Sequence, residues 1–193
     1  MDHPFLEKLA EGLLARRVSV LRFNFPFIDR GGFLPDRLPV LLAAADAVLE
    51  YAEAEAGGLP LFVVGKSLGG RVLSLSAASR MPSSLRGFAF CGYPLHSEKR
   101  QGITKGEHLK AIMLPMLFLS GTRDRLAHRE ILEPFVESLG SQATMRWFEG
   151  ADHGFTYRRK DLPPPDDVTA VLAAMIERWM MECLGINPVD SAK

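Results

Sequence analysis

A serine, an aspartate and a histidine, each just past an apolar run, are the residues of this sequence best suited to chemistry. Ser67 lies in Gly65-Lys66-Ser67-Leu68-Gly69-Gly70, directly after the β-forming run Leu61-Phe62-Val63-Val64. A Gly-x-Ser-x-Gly pentapeptide between a strand and a helix is the sequence form of a nucleophile elbow. The turn strains the serine backbone, and strand and helix crowd it from both sides. Gly65 and Gly69 are expected to relieve that crowding, with Gly70 as further relief. A phosphate-binding loop would also contain Gly-Lys-Ser. It requires a glycine five residues before the Gly of that triplet, and here that position is Pro60 in a strand-forming context. A structural turn with a merely small Ser67 is the plainer alternative.

A serine hydroxyl is a weak nucleophile at neutral pH and needs a base, which in turn needs an orienting group. Asp124 follows Met116-Leu117-Phe118-Leu119-Ser120 in the turn Gly121-Thr122-Arg123-Asp124. His153 follows Thr144-Met145-Arg146-Trp147-Phe148 in Gly150-Ala151-Asp152-His153-Gly154-Phe155. Taken alone, Asp124 reads first as a helix cap, and His153 equally as a surface histidine. Their joint placement after successive strands favours a catalytic constellation. Asp152 is a weaker orienting acid, because adjacent side chains rarely face each other. His96, in Gly92-Tyr93-Pro94-Leu95-His96, is a rival base, a pocket residue or a structural one, with no acid placed to orient it. Tyr93 either donates a hydrogen bond near the substrate or packs. Lys66 either raises the local positive potential or is solvated or salt-bridged. The backbone N–H of Leu68 is the candidate oxyanion donor. Phe25, Phe27, Phe33 and Phe155 suggest apolar walls, although aromatic residues also build cores.

These residues need elements to position them. Apolar spacing at Phe5, Leu6, Leu9, Leu13 and Leu14 predicts a helix over 5–15. Val18–Phe23 reads as a strand, followed by a Pro-, Gly- and aromatic-rich loop over 24–37 near the site mouth. Helices are expected over 38–56, 68–80 and 128–139, the last bent or interrupted at Pro134. Strands are expected over 61–64, 87–91, 116–120 and 144–148, with a loop and a short helix between 97 and 110. Asp161–Pro165 reads as a stiff linker, and Asp166 or Asp167 as the cap of a final helix to about 184. Strands alternating with helices predict an α/β fold, a mostly parallel sheet with helices on both faces. Ligands of such sheets bind at the carboxyl ends of the strands. Residues 1–193 are expected to form one domain.

Bulk properties narrow the functional classes. The chain has 193 residues, 47% of them hydrophobic, with 23 basic and 23 acidic side chains. A net charge of zero favours neither nucleic acid nor an anionic membrane as partner. A small-molecule substrate is the expected partner. Cys91 and Cys183 have no metal-type spacing, so no metal site is expected, and Cys91 reads as a small buried hydrophobe. The start of the chain lacks the basic and apolar regions of a signal peptide, and no apolar run reaches the length of a membrane span. A reducing cytoplasm is the default expectation.

The chain resembles the α/β-hydrolase superfamily over nearly its whole length. More narrowly it is similar to the small, lidless, dienelactone-hydrolase-like branch that includes the testis-expressed-protein-like predicted hydrolases. The resemblance is carried by Met1-Asp2-His3-Pro4-Phe5, Leu21-Arg22-Phe23, Gly65-Lys66-Ser67-Leu68-Gly69-Gly70-Arg71, Gly92-Tyr93-Pro94-Leu95-His96, Gly121-Thr122-Arg123-Asp124 and Asp152-His153. It implies a cofactor-free serine hydrolase, esterase-like, acting on an acyl substrate through Ser67, Asp124 and His153. Relatives carry a central strand and a His-Gly-Ala-Gly loop before the segment equivalent to Met1. That loop supplies one oxyanion donor. The sequence here begins after it, so the expectation is a chain cut short at its N-terminus. The alternative is a hydrolase-fold interaction module without turnover.

Overall fold

A computed structural model describes residues 3–158 and 167–186. Four strands, β1 (Leu61–Lys66), β2 (Leu85–Cys91), β3 (Met116–Gly121) and β4 (Ala143–Phe148), form one sheet. They lie in the order β1-β2-β3-β4 and all run parallel. Parallel neighbours require crossovers, and helices α4 (Leu68–Ser79) and α5 (Arg129–Glu137) supply two of them. The others are α1 (Pro4–Leu14), α2 (Pro26–Asp29), α3 (Leu38–Glu55) and α6 (Val168–Cys183), with a 3₁₀ turn at Glu107–Ala111. This is the α/β architecture that the alternation predicts. No helix among the described residues is long and apolar enough to cross a membrane.

The sheet is covered on both faces, and the period of two shows which residue goes where. Val63, Phe88, Phe90, Met116 and Phe118 join a core with Leu41 and Leu49 of α3, Val72 and Leu73 of α4, and Leu132 of α5. Their neighbours Ala89, Cys91, Leu117 and Leu119 join a second core with Leu9 and Leu13 of α1 and Leu172, Ile176 and Trp179 of α6. Strands buried on both sides read as continuous apolar runs, as β2 and β3 do. Gly87 makes room for α6: a Cβ there would sit 2.7 Å from the Trp179 ring.

Three expectations need correction. Val18–Phe23 is not a strand. Val18 and Val20 do lean on the α1/α6 core, so the alternation is real. A ladder needs a neighbour, however, and β1 pairs only with β2 among the described residues. The loop over 24–37 contains the short helix α2, opened by Pro26 at its first position. Its aromatics divide: Phe25 and Phe27 are buried in the core, whereas Phe33 is 97% exposed. Helix α5 is not interrupted at Pro134 and continues to Glu137. Asp167 caps α6, accepting from the N–H groups of Thr169 (2.9 Å) and Ala170 (3.1 Å). Met1, Asp2, the expected linker Asp161–Pro165 and the rival cap Asp166 lie outside the described residues.

Candidate active site

The site is built beyond the carboxyl ends of β1, β2, β3 and β4. Ser67 sits between β1 and α4 with φ 50° and ψ −123°, a backbone that a non-glycine residue rarely adopts. What holds it there is contact between backbones. A Cβ on Gly65 would overlap Gly70 Cα, and a Cβ on Gly70 would lie 2.9 Å from the Phe90 ring and 3.1 Å from Gly65 O. Gly69, expected to relieve crowding, has nothing within 4 Å of its Cβ position. The glycine pair that makes the elbow is Gly65 and Gly70. The Ser67 N–H donates to Cys91 O at 3.2 Å, tying the turn to the end of β2.

Asp124 and His153 converge on this serine. The Asp124 carboxylate is fully buried. Its Oδ1 accepts from the Leu126 N–H at 2.8 Å, and its Oδ2 lies 2.8 Å from His153 Nδ1. A carboxylate only accepts, so His153 Nδ1–H donates to it. Nε2 of the neutral ring is then an acceptor, and the Ser67 hydroxyl lies 2.8 Å from it. The imidazole is a quarter exposed. Solvent or a substrate can thus approach the Ser67–His153 end, while the Asp124 end is sealed.

Glycines at the strand ends make that convergence possible. A Cβ on Gly92, just past β2 at φ 69°, would lie 3.2 Å from His153 Nδ1. A Cβ on Gly121, the last residue of β3, would overlap Ala151 O in the loop that carries the histidine. That loop is clamped to the Asp124 turn: the Arg123 N–H donates to Ala151 O at 2.9 Å and the Gly150 N–H to Thr122 Oγ1 at 2.9 Å. Sequence reasoning did not single out these two glycines. The signal was available, since Gly92 and Gly121 both stand where an apolar strand gives way to a polar loop.

Other expected site residues have different places. Lys66 is half-buried and forms no salt bridge among the described residues. Its Nζ donates to His153 O at 3.0 Å and lies 4.9 Å from the centre of the Phe5 ring. Burial pulls its pKa below the usual lysine range, opposed by the charges near it. It braces the histidine loop from below. His96 is 2% exposed and both ring nitrogens are occupied, Nδ1 with Ser97 O at 3.0 Å and Nε2 with the His128 N–H at 3.1 Å. It has no free nitrogen to act as base or to line a pocket. Tyr93 is 1% exposed, and its hydroxyl donates to Lys105 O at 2.7 Å, so it packs and pins a loop. Burial drives its pKa upward. Asp152 Oδ1 accepts from the N–H groups of Gly154 and Thr156, shaping the histidine loop instead of orienting the ring. Phe155 is core, stacked with Phe5. Cys91 is fully buried, which pushes its thiol up to about 12 and leaves it inert.

Comparison with known proteins agrees with this architecture. The chain superposes on an alpha-beta serine hydrolase homologue from Coxiella burnetii with a TM-score of 0.71 and 18% identity, covering 93% of this chain and 77% of that one. A serine hydrolase without a lid from Xanthomonas campestris gives 0.68 and 21%, covering 93% and 75%. A monoacylglycerol lipase from Paleococcus ferrophilus gives 0.66 and 18%, covering 91% and 88%. At these identities the likeness is one of fold. The model of a family described as alpha/beta hydrolase domain matches residues 1–181, so this chain belongs to that family and is a hydrolase.

Proposed function

We propose that the protein hydrolyses a carboxylic ester or related acyl substrate with Ser67 as nucleophile, His153 as general base and Asp124 as the group that orients it. The observation that carries this reading is the continuous chain of two 2.8 Å contacts from Ser67 Oγ through His153 to Asp124 Oδ2. In the first step Ser67 Oγ bonds to the carbonyl carbon and its proton passes to His153 Nε2. The imidazolium returns that proton to the leaving alcohol as the carbon–oxygen bond breaks. Water, deprotonated by the same nitrogen, then attacks the acyl-enzyme and releases the acid and free Ser67.

The Leu68 N–H is the first of α4, and the opening N–H groups of a helix have no acceptor within it. It is the donor offered to the developing oxyanion, and the helix dipole adds to its effect. Incubation with a fluorophosphonate probe tests the reading: Ser67 is labelled in wild type and not in Ser67→Ala. A folded protein that stays unlabelled defeats it. Ester turnover that vanishes in Ser67→Ala excludes a non-catalytic interaction module.

A further inference from the structure

One turn along α4 from Ser67, basic side chains gather with no salt-bridging acid among the described residues. Arg71 Nε is buried and has no hydrogen-bond acceptor among the described residues. The Arg71 charge acts on Tyr93, Lys105 and His108. Among the described residues neither Arg71 nor Lys105 forms a salt bridge. The cluster is held firmly. Ser74, fully buried, hydrogen-bonds His108 Nε2 at 2.8 Å, and the Tyr93 hydroxyl holds Lys105 O at 2.7 Å. The 3₁₀ turn carrying His108 packs directly on α4.

An unpaired buried donor and neighbouring like charges are each unfavourable. Burial, and then the Arg71 charge, pull Lys105 and His108 below their ordinary pKa ranges. Such an arrangement is stable in isolation only at a cost, and an anion removes both defects at once. Long side chains on a helix lean toward its N-terminus, which here is the turn at Ser67. An acyl group bonded to Ser67 Oγ is therefore tethered on the same helix that carries the guanidinium.

We propose that Arg71 and Lys105 form an anion subsite, and that the acyl part of the substrate carries a carboxylate remote from the scissile carbonyl, as in a half-ester of a dicarboxylic acid. The proposal rests on the acyl-hydrolase reading for its substrate class but not for its anion site. Arg71 supplies the planar fork that matches a carboxylate, and Lys105 adds a point charge. His108, bonded to Ser74, stays neutral and shapes the wall.

The test compares p-nitrophenyl hemiglutarate with the uncharged p-nitrophenyl pentanoate. Wild type is expected to favour the anionic ester in kcat/KM. The anionic-to-neutral ratio is expected to fall on the order of ten- to a hundredfold in Arg71→Met, mainly through KM, with partial return in Arg71→Lys. Lys105→Met is expected to lower the ratio severalfold, and it carries the test if Arg71→Met does not fold. A ratio that neither variant moves overturns the proposal. Glutarate binding to Ser67→Ala, measured by calorimetry, needs no turnover and is expected to vanish when Arg71→Met is added. Binding so lost, in a protein that no fluorophosphonate labels, keeps the anion subsite and overturns only the reaction. Labelling and neutral-ester turnover with no glutarate binding and an unmoved ratio overturn the subsite and keep the reaction.

Discussion

Two polar regions on the same helix are built on opposite terms. At the Ser67 end of α4, the hydroxyl, both imidazole nitrogens and both carboxylate oxygens have partners, and the loops around them are cross-tied by backbone. One turn on, among the described residues Arg71 Nε has no acceptor and two cations share a neighbourhood with no salt-bridging carboxylate. A satisfied network specifies one geometry, whereas an unsatisfied one is complete only with something added. On the proposed function, the difference separates the part of the protein expected to be rigid before substrate arrives from the part that the substrate itself is expected to finish.

Breaking the satisfied region should have the largest effects. Asp124→Asn retains the shape but lets the imidazole adopt the wrong tautomer, and kcat should fall on the order of 10⁴-fold with stability little changed. Steady-state kinetics beside thermal melting checks this. A fall below tenfold would mean that the buried carboxylate is not orienting the ring. Gly121→Ala should harm both properties. Its methyl would overlap Ala151 O, so the His153 loop must shift. A loss of about 1–3 kcal/mol in urea unfolding is expected, together with a drop in kcat on the order of a hundredfold.

Lys66→Met is a subtler attack on the same region. The substitution keeps the apolar stem against Phe5 but removes the donor to His153 O. We expect kcat to fall about tenfold while KM stays within a factor of two, because in the proposed mechanism the bond positions the base and does not touch substrate. An equal loss in KM would place the ammonium at the substrate after all.

The satisfied region was also the legible one. Ser67, Asp124 and His153 could be read because each stands at a strand end, and strand ends are marked by the switch from apolar run to glycine-containing loop. The elbow was legible as a motif but not in its detail. Gly65 and Gly69 fit the pattern, yet the backbone contact is between Gly65 and Gly70, a distinction made only by how α4 leaves the strand. Val18–Phe23 shows the limit from the other side. Alternation reports which face a side chain takes, and Val18 and Val20 do face a core, but pairing depends on a neighbour that local pattern cannot supply. Several roles stayed open for His96 and Lys66 because their partners, Ser97 O with the His128 N–H and His153 O, are backbone groups, which have no signature in side-chain identity. The Arg71 cluster was not legible at all. It joins a helix residue to a loop more than thirty positions away, and its meaning lies in an absent partner.

The smallest expected effect comes from the unsatisfied region and reports on it directly. Burial first, and the Arg71 charge second, lower the His108 pKa from 6.5 to about 4. Between those values the unfolded chain binds a proton that the folded chain refuses. The stability that His108 contributes is therefore fully present above about pH 6.5 and is lost as pH falls toward 4. The ring is partly solvated, so screening reduces the effect to about 1–2 kcal/mol. Urea midpoints at pH 7.5 and 4.5, wild type against His108→Gln, isolate it from the carboxylates that titrate in the same range. The variant should lose less stability across that interval. Glutarate offers the sharper comparison. An anion beside Arg71 cancels part of the charge that opposes protonation of His108, so the ring should titrate higher in its presence. NMR titration of the His108 ring with and without glutarate reads that shift. A ring that titrates at the same pH in both would mean that the guanidinium field is not being neutralised, and that the two regions of α4 differ in packing alone.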